Sequence, residues 1–210
     1  MYGLGDYQKV TPTPQAFDEP QPITLAERLN IGDMGHTFAN FKTVAGAEDC
    51  LKVFSEAAEG ISPTPFIFCY GGVGNGKTHM LEAMVIRLNE RGLYTRYYTW
   101  SRIISNLRRF IRRDDATSPP YDVIFGRWCQ SPRLIIDDLG MGTTDTDWEL
   151  SQLEGIITYR YHVKLFTTIA TNKDIKDMPP RVVSRLRDKE VCTICLNKAP
   201  DYRLTKARTK

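Results

Sequence analysis

Eight consecutive residues, from Gly71 to Thr78, constrain the fold of this chain more than any other part of its sequence. They read GGVGNGKT and fit the pattern G-x-x-x-x-G-K-T, with an apolar run at 65–70 before them and helical periodicity at 77–91 after them. Glycines let backbone N–H groups turn towards a ligand, and a helix N-terminus adds its positive dipole. The motif in this context predicts a phosphate-binding loop, the P-loop, between a strand and a helix. A glycine-rich turn without a ligand is the alternative.

Apolar strands and amphipathic helices alternate along the rest of the chain. The predicted strands lie at 65–70, 93–100, 133–137, 164–171 and 190–196, and the predicted helices at 46–60, 77–91, 102–113, 147–161 and 178–187. A helix between two successive strands makes them parallel, with a right-handed crossover and helices on both faces of the sheet. The sequence therefore predicts an α/β fold built on a parallel five-stranded sheet.

Two carboxylates end the strand predicted at 133–137. Asp137 closes the run LIID, and Asp138 follows it. Mg²⁺ prefers hard oxygen ligands and keeps several of its waters, so Asp137 and the Thr78 hydroxyl are predicted to hold it beside a nucleotide. Asp138 is then placed to orient and polarise the attacking water, and Lys77 to reach the β- and γ-phosphates. The alternative is an acidic strand end that caps the next loop.

A third strand ends in a polar residue at the same predicted edge, because Asn172 follows the run TTIAT. Ligands of open α/β sheets lie at the carboxyl ends of strands, so Asn172 is predicted within reach of the γ-phosphate or the water. A turn-forming asparagine is the alternative. The predicted nucleotide-binding residues around the first motif are Gly71, Gly72, Val73, Gly74, Asn75, Gly76, Lys77, Thr78 and His79.

Together these motifs resemble the AAA+ ATPases, and within them the DnaC-like family of bacterial and phage helicase loaders with their transposition-helper relatives. The segments that carry the resemblance are GHTFANF (35–41), YGGVGNGKTHM (70–80), LIIDDLG (134–140), ITYRYHVK (157–164), TIATN (168–172) and PPRVVSRLRD (179–188). The resemblance implies an AAA+ domain at 34–204 without a helical lid, and a basic tail at 205–210. Cellular loaders of this family carry a larger N-terminal domain that binds the helicase, so either the Pro-rich extension at 1–33 is a minimal helicase-docking segment or the partner of this chain differs.

The resemblance further implies roles for four polar residues. Asn172 is similar to the sensor-1 residue of the family, and Arg185 to its arginine finger. Arg181, one helical turn earlier, belongs to the same subunit interface, and Arg203 of the Asp-Tyr-Arg segment replaces a sensor-2 arginine. A finger supplied by a neighbouring subunit implies an ATPase that is slow alone and stimulated by assembly or DNA. A solvated basic helix face is the alternative for Arg181 and Arg185.

The charge is unevenly distributed along the chain, although its net value is only +3. Residues 94–113 contain six arginines and no acid, among aromatic residues. Cations that follow phosphates beside aromatic faces are typical of single-stranded DNA sites. The predicted DNA-binding residues are Arg102, Arg108, Arg109, Arg112 and Arg113. For the tyrosines and Trp100, packing in the core is the alternative that we favour.

The expected function is ATP- and Mg²⁺-dependent loading of a replicative ring helicase onto single-stranded DNA, by a chain that self-assembles into a spiral or filament. A transposition helper ATPase that recruits a transposase to DNA has nearly identical motifs and is one alternative. A weakly hydrolysing nucleotide switch is another, because Asp138 stands where a glutamate is more frequent.

The cysteines and the N-terminus indicate the compartment. Five cysteines without framework spacing, no secretory signal and no long apolar run predict a cytoplasmic protein without membrane contact. Cys192 and Cys195 are three apart on a predicted strand and should face opposite sides, which argues against a zinc site. Cys50 and Cys69 are predicted in the core.

Overall fold

A computed structural model of the chain describes residues 29, 31–111, 119–140 and 146–206. The strands are β1 (Phe66–Gly71), β2 (Arg96–Thr99), β3 (Arg133–Asp137), β4 (Phe166–Thr171) and β5 (Cys192–Asn197). The helices are α1 (Glu48–Ala58), α2 (Lys77–Glu90), α3 (Trp100–Ile111), α4 (Tyr121–Gln130), α5 (Asp147–His162), α6 (Pro180–Leu186) and α7 (Tyr202–Lys206), with a 3₁₀ turn at Ile175–Asp177. Among these helices, none is long and apolar enough to cross a membrane.

The five strands form one parallel sheet in the order β2-β3-β4-β1-β5. All carboxyl ends therefore lie at one edge, and the three strands that precede the polar motifs are neighbours in the middle of the sheet. The predicted α/β fold with a parallel five-stranded sheet is confirmed. Between residues 197 and 206 the chain forms only the short helix α7, and no helical lid domain is present in the part of the chain that the structure describes.

The sheet separates two apolar clusters. Successive side chains of a strand point to opposite faces, and β1 follows this rule: Phe66 and Phe68 join one cluster, whereas Ile67 and Cys69 join the other. Helices α3, α4, α5 and α6 cover the first face, and α1 and α2 cover the second. Cys192 and Cys195 also lie in different clusters, as their spacing on β5 predicts.

Helix α4 was not predicted from the sequence. It follows two prolines, has no side-chain cap, and contains Gly126, so its local signals are weak. Its buried residues Ile124, Trp128 and Cys129 join the cluster that contains α3 and α5. Tertiary packing therefore stabilises this helix where local propensity does not.

A fully buried arginine, Arg160 of α5, joins α4 and β3 to β4. Its guanidinium donates hydrogen bonds to the carbonyl oxygens of Trp128, Cys129, Ser131 and Phe166 and to the Thr167 hydroxyl, over 2.6–3.1 Å. Burial lowers the pKa of Arg160 to about 10, which leaves it charged at neutral pH. Its charge is therefore solvated by backbone carbonyls.

Candidate nucleotide-binding site

The carboxyl edge of the sheet opens into a cavity of about 890 Å³. The cavity is lined by the P-loop after β1, by Asp137 at the end of β3 with Asp138 directly after it, and by Asn172 after β4. Its volume suits a ligand of nucleotide size. The structure therefore brings together the three motifs that the sequence places at separate strand ends.

The P-loop backbone is pressed against the chain that follows β5. Gly71 has a φ of 147° and Gly74 a φ of 70°, which disfavour side chains. A Cβ on Gly71 would lie 2.1 Å from the Asn197 carbonyl oxygen, and a Cβ on Gly74 would lie 1.9 Å from Asp201 Oδ1. The Tyr202 N–H also donates to the Gly74 carbonyl at 3.0 Å. Gly71 is therefore required by this backbone contact as well as by its conformation, and Gly74 by its conformation.

A reciprocal pair of buried amides fastens the P-loop to β5. Asn75 Nδ2 donates to the Asn197 carbonyl at 3.0 Å, and Asn197 Nδ2 donates to the Asn75 carbonyl at 2.9 Å. Asn197 Oδ1 accepts a third bond from the Ala199 N–H at 3.1 Å. Sequence reasoning placed Asn75 among the nucleotide-binding residues. It does line the cavity, but its side-chain Nδ2 braces the loop, and its partner Asn197 was not predicted.

Lys77 is held inside the loop that precedes it. Its ammonium donates to the Gly71 carbonyl at 2.9 Å, to the Gly72 carbonyl at 2.6 Å and to Asn75 Oδ1 at 3.0 Å. Burial lowers the pKa of Lys77, and the nearby charge of Asp137 is among the opposing effects. The predicted phosphate-binding cation therefore lies at the cavity floor, bonded to neutral oxygens.

Asp137 and Thr78, the two predicted magnesium ligands, line the cavity close to each other. The Asp137 carboxylate is only 3% exposed. Burial raises the pKa of Asp137, and hydrogen bonds from Thr78, the Asp138 N–H and Tyr97 oppose that rise. A hydroxyl and a carboxylate beside each other form the hard oxygen donor set that Mg²⁺ prefers, so these residues fit the ion.

Tyr97, for which the sequence favours packing in the core over a DNA contact, also contacts a site residue. It lies on β2, is 4% exposed, and donates its hydroxyl to Asp137 Oδ2 at 3.0 Å. Burial raises the pKa of Tyr97, so the phenol remains a donor. Tyr97 and the Asp138 N–H, which donates to Oδ1 at 2.8 Å, together fix both oxygens of Asp137.

Asp138 and Asn172 meet at the mouth of the cavity. Asn172 Nδ2 lies 3.4 Å from Asp138 Oδ1, and both side chains are exposed. Asp138 has a φ of 47°, a left-handed conformation that costs a non-glycine residue about 1 kcal/mol. Such backbone strain is frequent at functional sites.

One wall of the cavity is made of rings from the segment that precedes α1 and from α2. His36 and His79 stack with centroids 4.2 Å apart, and Phe41 contacts the edge of His79. His36 Nδ1 lies 2.5 Å from Oε2 of the buried Glu82, and His79 Nε2 lies 2.9 Å from the Thr37 carbonyl. His79 therefore lines the cavity within this bonded cluster.

The two arginines of α6 do not line the cavity of their own chain. Arg185 donates to the Arg181 carbonyl at 2.7 Å, and its guanidinium lies 5.9 Å from the Tyr161 ring centre. Its buried Nε has no hydrogen-bond partner within the described residues. Arg181 lies 3.8 Å from Glu154 Oε2 and is largely exposed. Arg203, by contrast, does line the cavity.

The arginines of α3 have different surroundings. Arg102 lines the nucleotide cavity, 5.6 Å from the Tyr98 ring centre. Arg108 forms a 2.9 Å ion pair with Glu149 of α5 and lies over the Trp148 ring. The sequence showed no acid that neutralises this segment, but Glu149 comes from a distant element. Arg109 is exposed, and Arg112 and Arg113 lie outside the described residues. Tyr97 and Trp100 are buried core residues, whereas Tyr94 is exposed.

Comparison with known proteins agrees with this arrangement at the level of the fold. No protein-family model matches the sequence. The chain is similar to the DnaC helicase loader (TM-score 0.64, 21% identity, 79% of this chain and 98% of that chain) and to DnaI (TM-score 0.60, 17% identity, 85% and 93%). It is also similar to the replication initiator DnaA bound to AMPPCP and single-stranded DNA (TM-score 0.65, 20% identity), covering 78% of this chain.

The chain spans half the length of that DnaA chain. At 17–21% identity, the similarity to these three structures is one of fold rather than of sequence. The chain therefore has the α/β fold of the AAA+ P-loop ATPases, and helicase loaders are among its structural neighbours, as its motifs predict.

Proposed function

We propose that this chain is a replication AAA+ ATPase that binds ATP and helps to load a ring helicase onto single-stranded DNA. The observation that carries the proposal is the meeting of Lys77, Thr78, Asp137, Asp138 and Asn172 around one cavity. The same fold covers 98% of the DnaC helicase loader, which supports the loader role.

The residues that line the cavity have different roles towards ATP in this proposal. Lys77, Arg102 and Arg203 are cations that can face the phosphates, and Lys77 would exchange its bonds to loop carbonyls for bonds to phosphate oxygens. Thr78 and Asp137 would hold Mg²⁺, which neutralises charge on the phosphates. Asp138 would accept a proton from the attacking water, and Asn172 would orient that water. DnaA bound to AMPPCP is one of the neighbours, which supports nucleotide binding.

Fast hydrolysis in this proposal requires a second copy of the chain. Arg185 lies off the cavity of its own chain, and its buried Nε lacks a hydrogen-bond partner within the described residues. Delivered to a neighbour's ATP, an arginine of this kind accelerates transfer by about 10³–10⁵. We therefore expect slow turnover by the monomer and faster turnover after assembly into a spiral or filament, with Arg181 at the same interface.

The DNA-binding part of the proposal rests on α3. Arg109 is exposed there, Arg108 is half exposed despite its ion pair, and Arg112 and Arg113 follow in the sequence. Arginines that contact phosphates release counterions, so DNA affinity should fall steeply with salt. Arg102 lines the nucleotide cavity, so in this proposal it serves ATP rather than DNA.

The test measures ATP turnover and partner retention on the full chain. ATP hydrolysis with and without single-stranded DNA is compared between the wild type, Lys77→Ala, and Lys52→Ala, an exposed control on α1. We expect turnover that DNA stimulates, that Lys77→Ala abolishes and that Lys52→Ala leaves unchanged. If the wild type hydrolysed ATP no faster than the Lys77→Ala variant, the chain would instead be a nucleotide switch. Retention of a transposase rather than a ring helicase would refute the loader role.

A further inference from the structure

Three cysteine thiols from three separate elements converge behind the P-loop. Cys50 comes from α1, Cys69 from β1 and Cys195 from β5, and their sulfur atoms all lie within 4.8 Å of one another. Cys69 and Cys195 are paired in the β1–β5 register, and Cys69 Sγ lies 3.8 Å from Cys50 Sγ. The other two cysteines, Cys129 and Cys192, lie in the apolar cluster on the opposite face of the sheet.

The three thiols of this cluster are buried, and sulfur is a soft ligand. Cys50 and Cys69 are 0% exposed and Cys195 is 6% exposed, among the apolar residues under α1 and α2. Deprotonated cysteine selects thiophilic metal ions, and geometry with ligand number decides between them. Zinc in structural sites takes four ligands, and in the described chain no fourth histidine, cysteine or carboxylate joins this group.

We propose that Cys50, Cys69 and Cys195 bind one Cu(I) ion in a three-coordinate, all-sulfur site. Each Cu–S bond that forms replaces an S–H bond and releases a proton, so no change of oxidation state is needed.

The site lies close to the nucleotide site along the chain. Cys69 is two residues before Gly71, and Cys195 is two residues before Asn197, which fastens the P-loop. An ion bound by all three thiols would link α1, β1 and β5. Because binding occurs only in the folded chain, the metal would stabilise it by mass action. The inference does not depend on the proposed function.

The experiment titrates the full, reduced chain with Cu(I) held by a chromophoric chelator, without oxygen. We expect the wild type to withdraw one Cu(I) per chain and to gain sulfur-to-copper charge-transfer absorption in the ultraviolet. Cys69→Ala should lose at least tenfold in Cu(I) affinity, whereas the control Cys129→Ala, which alters a buried cysteine outside the cluster, should bind as the wild type. No saturable binding by the wild type, or equal binding by Cys69→Ala, overturns the proposal.

A second measurement needs no variant, in case Cys69→Ala fails to fold. X-ray absorption of the wild type loaded with one equivalent of Cu(I) counts the ligands directly. Three sulfur ligands support the proposal, and two sulfurs or any nitrogen or oxygen ligand overturn it. The melting temperature of the wild type should also rise with Cu(I), and an unchanged melting temperature counts against binding by the folded chain.

Discussion

Replacing Asn197 by alanine is expected to lower the free energy of unfolding by about 3 kcal/mol. The substitution removes two hydrogen bonds, from Asn197 Nδ2 to the Asn75 carbonyl and from the Ala199 N–H to Asn197 Oδ1. Asn75 and Ala199 are 4% and 7% exposed, so both orphaned groups stay buried. A buried polar group without a partner costs about 1–3 kcal/mol, and two of them give the expected loss.

The assay is urea unfolding followed by far-ultraviolet circular dichroism, with Asn106→Ala on the exposed face of α3 as the control. For a chain of this size the loss corresponds to a fall in melting temperature of about 6–12 °C. The affinity for ATP should fall as well, because the P-loop loses its attachment to β5. A loss below about 1 kcal/mol would refute the reasoning, since water would then satisfy the orphaned groups.

Three further substitutions test other parts of the structure. Asp137→Asn should abolish ATP hydrolysis yet raise the melting temperature at neutral pH, because burial raises the pKa of Asp137 and its ionised form destabilises the fold. That gain should shrink as the pH falls through the raised pKa, and a gain independent of pH would contradict it. Arg160→Met leaves four backbone carbonyls without their donor and should cost more than about 3 kcal/mol in urea unfolding, against no measurable loss for the exposed Arg109→Met. Arg185→Ala should keep ATP affinity and lower turnover of the assembled protein by about 10³ or more, and mixing it with Lys77→Ala should restore part of the turnover. Failure of the mixture to recover activity would exclude delivery of Arg185 to a neighbouring subunit.

The site residues that could be predicted from the sequence are those that directly follow or end one apolar strand. The P-loop, Asp137, Asp138 and Asn172 each follow an apolar run directly, and a parallel sheet brings such ends to one edge. The strand positions were predictable for the same reason, because alternation and turn residues are local signals. The predicted β2 was longer than the observed Arg96–Thr99, since α3 begins at Trp100 without a connecting turn.

The residues that sequence reasoning missed act through partners far away in the chain. Asn197 bonds Asn75, which is 122 residues earlier, and Glu149 pairs with Arg108, which is 41 residues earlier. The cysteines of the thiol cluster come from three elements, so the C-x-x-C spacing on β5, which argues against a joint site of Cys192 and Cys195, gives no indication that Cys195 meets Cys50 and Cys69. Helix α4 depends on packing against α3 and α5 rather than on its own sequence. None of these contacts can be predicted from a local sequence pattern, because the fold alone brings the partners together.

The contact between Gly74 and the start of α7 has a practical consequence for labelling. The Tyr202 N–H donates a hydrogen bond to the Gly74 carbonyl, so a shift of the P-loop on nucleotide binding would change the surroundings of α7. Leu204 is 69% exposed on that helix. An environment-sensitive dye attached at position 204 would therefore report movement of the P-loop. A bulky tag fused directly after α7, by contrast, would be expected to disturb the P-loop through the same contact.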